Sequence, residues 1–340
     1  MQIQRQQFRG ALIPVAILML LVVNLQVDDQ AYADDVSDPR DVSDICDPSR
    51  TRQQAVQEDD HRDARHLLDI KDTVKRSFKV RAGGTLYLDI DHGNVVVEPH
   101  SGGEVFVEVE RTVQSDNRDD AKRILDRHDL SMEERNNDVH IESRTDRDGG
   151  FWGRMSARTQ MKVRVQVRVP ERYSVEFTSG AGNVAVGTIS GRVDGRTGAG
   201  NIEIGAVDGS VDVASGSGNI DIKGALGRVE ANTGAGNIHA REVRGEVEIN
   251  TGAGNIEVYI TRQPQADSRL HTGAGNVTVF LGSAVGVQVD AEASVGSASS
   301  DYPLAIEGKW MTKRFSGDVN GGGPDLHLRA GVGNVALRKM

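Results

Sequence analysis

The sequence predicts an all-β fold: a parallel β-solenoid with about 18 residues per coil, preceded by short strands and one helix. Its main evidence is a repeated Gly-x-Gly-Asn unit whose Asn falls at positions 183, 201, 219, 237 and 255, four successive steps of 18 residues. The residue after each Asn is apolar (Val184, Ile202, Ile220, Ile238, Ile256). A second apolar set, Val193, Val211, Val229 and Val247, follows nine to ten residues later, with Gly191, Gly209, Gly227 and Gly245 each two positions before it. Each unit therefore holds two short strands with glycine-bearing turns between them. Identical residues in register at a short fixed period are the mark of stacked coils. An antiparallel β-meander of repeated hairpins is the alternative, since two strands per unit suit it too.

If the units stack as coils, they lie about 4.8 Å apart and like side chains meet in ladders. Ladders of Val and Ile make a narrow core without room for rings, in keeping with an aromatic content of 4%. Asn183, Asn201, Asn219, Asn237, Asn255 and Asn276 are then a structural ladder, hydrogen-bonded from coil to coil as stacked amides are. Glycine supplies the positive φ of a sharp corner, and Asn tolerates it better than most residues.

The other segments follow in chain order. Residues 1–33 read as an export signal, with Arg5 and Arg9, an apolar run from Ala11 to Leu25, and Ala31-Tyr32-Ala33 as a cleavage site. That run is short for a membrane span, so membrane contact is expected only through an uncleaved signal. Residues 34–76 are rich in Asp, Arg, Gln and Ser and read as a charged, largely disordered spacer, with a weak helix from Thr51 to Lys71 as an option. Cys46, the sole cysteine, lies in this spacer and excludes an intramolecular disulfide. The domain is placed at 77–340: entry strands and a helix over 77–175, regular repeats over 176–282 and C-terminal coils over 283–340. The entry helix is Asn117 to His128, with Ala121, Ile124, Leu125 and His128 on one face. His92-Gly93-Asn94-Val95 is a degenerate corner upstream; Asn276, after a step of 21, and Asn334 continue the motif downstream.

A formal charge of -10 argues against nucleic acid as a partner, because an acidic surface repels phosphates. The glycine corners lack the Lys and the following helix of a phosphate loop, so no nucleotide cofactor is expected. They also lack the alternating Asp of calcium-binding glycine repeats. Asp194, Asp212, Glu230 and Glu248 share one outward column, where stacked carboxylates need compensation. Arg192 and Arg228 are the expected source of it, and a surface divalent ion is the alternative. Ser179, Thr197, Ser215, Thr233, Thr251 and Thr272 form a hydroxyl file expected to bond its own turn backbone. The nine histidines show no metal-ligand spacing, and no two carboxylates are fixed at a glycosidase separation. No catalytic, metal or cofactor residue is assigned. Trp152, in the polar loop "GGFWGRM", is either an end cap or a contact for a sugar or a partner. Trp310, beside Lys309, Lys313 and Arg314, is either an aromatic anchor or a contact for an anionic polymer.

Four segments together resemble a known family: "GGTLYLDIDHGNVVV", "VRVQVRVPERYSVEFTSGAGNV", the Gly-x-Gly-Asn-Ile units and "FSGDVNGGGPDLHLRAGVGNVALRK". The sequence is similar, over about residues 78–340, to the bacterial putative-adhesin domains of β-strand repeats, related to the head domain of putative autotransporter adhesins. The resemblance implies a parallel β-helix-like solenoid, exported to the periplasm, the cell surface or the medium, and no shared catalytic residue. The expected function is non-catalytic binding or adhesion to an envelope or surface polymer or protein. A structural or stress-related envelope protein with a protein partner is the alternative, and a glycan-active enzyme a third.

Overall fold

The computed structural model describes residues 68–115, 117–145, 160–308 and 311–340. The signal-like segment, Cys46, nearly all of the spacer, and the tryptophans at 152 and 310 lie outside the described residues. The entry region contains β1 (Leu68–Lys79), β2 (Thr85–His92), β3 (Asn94–His100), β4 (Glu104–Ser115), α1 (Arg118–Arg127), β5 (His128–Arg135), β6 (Asp138–Thr145) and β7 (Gln160–Pro170). The helix starts where Asn117 caps it, its side chain accepting a hydrogen bond from the Asp119 N–H, and buries Ala121. Below it, His128 Nε2 meets Ser143 Oγ at 2.9 Å while Arg111 approaches Nδ1 at 3.4 Å. Burial first, then the Arg111 charge, lowers the His128 pKa.

The repeats form two parallel sheets, one strand of each coil in each. One sheet receives β8 (Ser174–Ala181), β10 (Val193–Thr197), β12 (Val211–Ser215), β14 (Val229–Ala235), β16 (Val247–Ala253) and β18 (Ser268–Ala274). The other receives β9 (Val184–Val186), β11 (Ile202–Val207), β13 (Ile220–Ala225), β15 (Ile238–Val243), β17 (Ile256–Ile260) and β19 (Val277–Leu281). Register is residue on like residue, as in Ile202 against Ile220 and Val211 against Val229. The pairing is parallel throughout this region, so the fold is the solenoid and not the meander. The inward Val and Ile of both sheets form one apolar core.

Coil order departs from chain order at both ends. The coil β2–β3 lies between β6–β7 and β8–β9. The C-terminal region adds β20 (Val287–Val295), β21 (Ala298–Ser300), β22 (Ile306–Glu307), β23 (Lys313–Val319), β24 (Asp325–Val332) and β25 (Val335–Lys339). Here the last coil, β24–β25, inserts between β18–β19 and β20–β21. Antiparallel strands then finish the stack: β4 and β1 beyond β7, β5 beyond β6, and β23 and β22 beyond β20.

Three expectations need correction. Residues 68–76 are strand, neither spacer nor helix: β1 pairs along its whole length with β4. Its apolar residues Ile70, Val74 and Phe78 fall four apart, a spacing that fits a helix as well as a strand. Cross-strand ion pairs, Asp72 with Arg111 and Lys75 with Glu108, hold the outlying strand in place. The core does admit rings, since Tyr173, Phe177 and Phe315 are all buried. Phe177 fits because its partner in the next coil is Gly195, where a Cβ would come within 2.2 Å of the ring. The asparagines do not stack chiefly amide on amide. Each Oδ1 accepts the backbone N–H of the next Asn, at 2.8 Å from Asn201 onto Asn183 and likewise from Asn219 onto Asn201, Asn237 onto Asn219 and Asn255 onto Asn237. The file continues through Asn276 onto Asn255 and Asn334 onto Asn276, and begins at Asn94, which receives Asn183 N–H.

The glycine in front of each Asn is fixed by two constraints. Gly218 has φ +150°, and a Cβ there would sit 2.1 Å from the Gly200 carbonyl oxygen of the coil below. Gly218→Ala is therefore expected to destabilise the fold by roughly 3 kcal/mol or more in urea denaturation. Gly224→Ala should be neutral or stabilise by up to about 1 kcal/mol, because nothing lies nearer than 3.6 Å to its Cβ position. Asn219→Ala should cost about 1 kcal/mol, since water can replace the lost acceptor at an exposed corner.

Candidate functional site

The alternation that buries Val193, Val211, Val229 and Val247 turns the next residue of each strand outward. Glu176, Asp194, Asp212, Glu230 and Glu248 thereby become successive rungs of one exposed column. The column continues into Arg269, His327 and Asp290, so a cation interrupts the run of acids before Asp290 restores a carboxylate. Arginines two positions earlier bridge the carboxylates in pairs. Arg192 Nη2 lies 3.9 Å from Glu176 and 3.7 Å from Asp194, and Arg228 Nη2 lies 3.1 Å from Glu230 and 2.5 Å from Glu248. Asp212 falls between the two bridges, and no ion pair among the described residues includes it. Its pKa is raised, by partial burial first and then by the charges of Glu230 and Asp194, against a smaller opposing pull from Arg196 and Arg192.

Two positions further along the same strands a second column points outward: Arg196, Ala214, Asn232, Asn250 and His271. Asn250 Nδ2 donates to Asn232 Oδ1 at 3.1 Å. Small side chains at Ala214 and the stacked glycines 234, 252 and 273 leave a shallow groove of 370 Å³ over this column. These residues escaped the sequence reading, although "VEANTGAGN" and "VEINTGAGN" place Asn232 and Asn250 one period apart. The face so built offers repeated carboxylate and amide groups at strand spacing, with no enclosing walls.

The remaining candidates fall elsewhere. The hydroxyl file is buried and bonds mainly across coils rather than within its own turn, with Ser215, Thr233 and Thr251 donating to the carbonyls of Gly200, Gly218 and Gly236 at 3.0, 2.9 and 3.0 Å. Thr197 and Thr233 add weaker contacts to Ala199 and Ala235 in their own turns. Ser179 Oγ, at the start of the file, is buried and has no hydrogen-bond partner among the described residues. The asparagine ladder runs along a corner, apart from the two columns on the strand face. Among the described residues, no three His, Cys, Asp or Glu side chains are grouped to hold a metal ion. Among the same residues, no helix is long and apolar enough to cross a membrane.

Fold and face together define a β-solenoid repeat protein with polar columns displayed on a parallel sheet. Residues 86–338 match the family model Toastrack DUF4097, and the chain belongs to that family. Solved structures similar to it include a putative cell adhesion protein from Clostridium sporogenes, with 12% identity, a TM-score of 0.27 and coverage of 79% of this chain and 100% of that one. A putative adhesin from Bacteroides fragilis shows 12% identity, a TM-score of 0.30 and coverage of 79% and 97%. A putative lipid binding protein from Parabacteroides distasonis shows 11% identity, a TM-score of 0.32 and coverage of 79% and 96%. No curated protein matches the chain.

Asp212 provides a test of the column's electrostatics. A carboxyl whose pKa is raised on folding contributes stability below its unfolded pKa, near 3.8, and loses that contribution as pH rises through the folded value. At neutral pH Asp212→Asn should thus melt higher than the parent protein. The difference should vanish at about pH 3, where both states carry the proton. Thermal melts of the two proteins at both pH values check the sign.

Proposed function

We propose that this chain is an exported, non-catalytic binding module whose polar columns engage a repetitive polymer of the cell envelope or surface. The observation carrying this reading is the in-register repetition of Asp194, Asp212, Glu230 and Glu248 beside Asn232 and Asn250 on one open face. An open face with identical rungs suits many weak, equivalent contacts better than one deep pocket, and linked weak contacts multiply in avidity. Carboxylate and amide groups hydrogen-bond hydroxyls and amines, so a hydroxyl-rich polysaccharide fits the chemistry. Export is supported by the signal-like pattern of residues 1–33.

The test is co-sedimentation of the full chain with insoluble peptidoglycan and with other purified wall polysaccharides, followed by titration with oligosaccharides of increasing length. A fragment starting at residue 77 would be unsuitable, since it removes most of β1. Affinity is expected to rise steeply with oligosaccharide length and to fall at least tenfold in the double variant Asn232→Ala, Asn250→Ala. Length-independent affinity, or retention by one envelope protein and by no polymer, would overturn the proposal.

A further inference from the structure

We propose that a cleft on the opposite sheet is a second binding site, specific for a singly charged carboxylate carried on a sugar ring, with Arg168 as its anchor. It lies on the other sheet from the carboxylate column and is independent of the function proposed for that face. Its volume is 610 Å³, within the usual range of small-molecule sites.

Strand register builds the cleft from distant segments. Lys75 on β1 lies opposite Glu108 on β4, Glu108 opposite Gln166 on β7, and Gln166 opposite Val96 on β3. The row beside it runs from Phe106 through Arg168 to Glu98. Val96 and Phe106 supply an apolar surface, while Glu98, Gln166 and Arg168 supply the polar groups around it.

Arg168 is held in place without being neutralised. Its guanidinium lies over the Phe106 ring, with Cζ 5.0 Å from the centroid. His100 packs against that ring at 5.2 Å, and its Nε2 lies 2.6 Å from the Glu104 carbonyl oxygen. Glu98 is the cross-strand neighbour of Arg168, yet among the described residues no carboxylate is within ion-pair distance of this guanidinium. A planar donor fork oriented by an aromatic face, with no hydrogen-bond or ion-pair partner among the described residues, is suited to bidentate capture of a carboxylate.

The charge around the cleft decides between anions. Lys75 and Arg168 are the cations on the cleft's face of the sheet and Glu98 and Glu108 the anions, with Lys75 and Glu108 paired at 3.0 Å. Arg168 is the cleft cation with no ion pair among the described residues; one guanidinium matches one carboxylate, whereas a dianionic phosphate would leave a charge unmatched beside Glu98. A fatty acid would also bring one carboxylate, but its chain would meet Gln166 and Glu98 without offering them hydrogen bonds. The hydroxyls of a uronate can bond both groups while its C–H face lies against Val96 and Phe106. These requirements together select an acidic sugar.

The experiment is calorimetric or NMR titration of the full chain with galacturonate, its neutral counterpart galactose, inorganic phosphate and octanoate. Galacturonate should bind, at least tenfold more tightly than the other three and more weakly as salt is raised. Arg168→Gln should lose at least tenfold, and Arg168→Lys several-fold, because an ammonium neither forks nor stacks in the same way. Gln166→Ala provides a second variant should Arg168→Gln not fold, with a loss of several-fold expected. Lys223→Gln, on β13 away from the cleft, should bind as the parent does. Equal binding of the neutral sugar, tighter binding of phosphate or octanoate, no binding of galacturonate, or full affinity in a folded Arg168→Gln would each overturn the proposal.

Discussion

The structure depends on how one coil's corner meets the next. Strands of adjacent coils satisfy each other's backbone groups, but the polar groups of a sharp corner need partners of their own. In this protein corner groups find partners in adjacent coils. Gly200 N–H donates to the Ser217 carbonyl, and the Gly182 carbonyl accepts the Thr197 hydroxyl. Asn201 N–H reaches the Asn183 side chain, and the Asn201 carbonyl accepts Val184 N–H. The motif Thr-Gly-x-Gly-Asn is thus a hydrogen-bonding scheme written once per coil. The glycine keeps space for it, because any Cβ at that position would collide with the carbonyl below.

A parallel stack held in this way would grow without limit unless its ends were changed. Antiparallel strands do this here: β1 and β4 extend one sheet beyond β7, and β23 and β22 extend the other beyond β20. Lys71, Asp72 and Lys75 on β1 pair with charges on β4, and charged side chains on an outermost strand discourage another chain from joining it. Inserting β24–β25 between two earlier coils also ties the last residues of the domain into the core. Leu326, Leu328, Val335 and Leu337 are all buried there.

Repetition made the centre of the fold legible and left the ends obscure. Ile202, Ile220, Ile238 and Ile256 report their stacking directly, because neighbours in space are neighbours by one period in sequence. That rule fails for Asn94 and Asn334. Their partners Asn183 and Asn276 are 89 and 58 residues away, so the motif announces a corner but not its place in the stack. β1 was obscured differently: with charges on both faces its alternation is diluted, and only pairing with β4 reveals it. Of the surface, the carboxylate column could be read from the aligned repeats, whereas the Arg168 cleft draws on segments that share no period.

The same repetition that builds the core limits what the surface can display. A residue type chosen once recurs at about 4.8 Å intervals, and a column of one charge must then be relieved from within the fold. Arginine occurs only on alternate coils, at 192 and 228, while Ser210 holds the intervening place. Each arginine bridges one carboxylate on its own coil and one on a neighbour, so two arginines serve four acids and omit the fifth. An arginine at 210 would reach Asp212 and close the column as a continuous salt-bridge network. Its absence leaves one carboxylate, flanked by Asp194 and Glu230, whose hydrogen-bonding capacity is not taken up by the protein's own cations. That rung adjoins the groove over Ala214 and Asn232. The alternation of arginine and serine therefore sets which rung of the column is without an ion pair among the described residues.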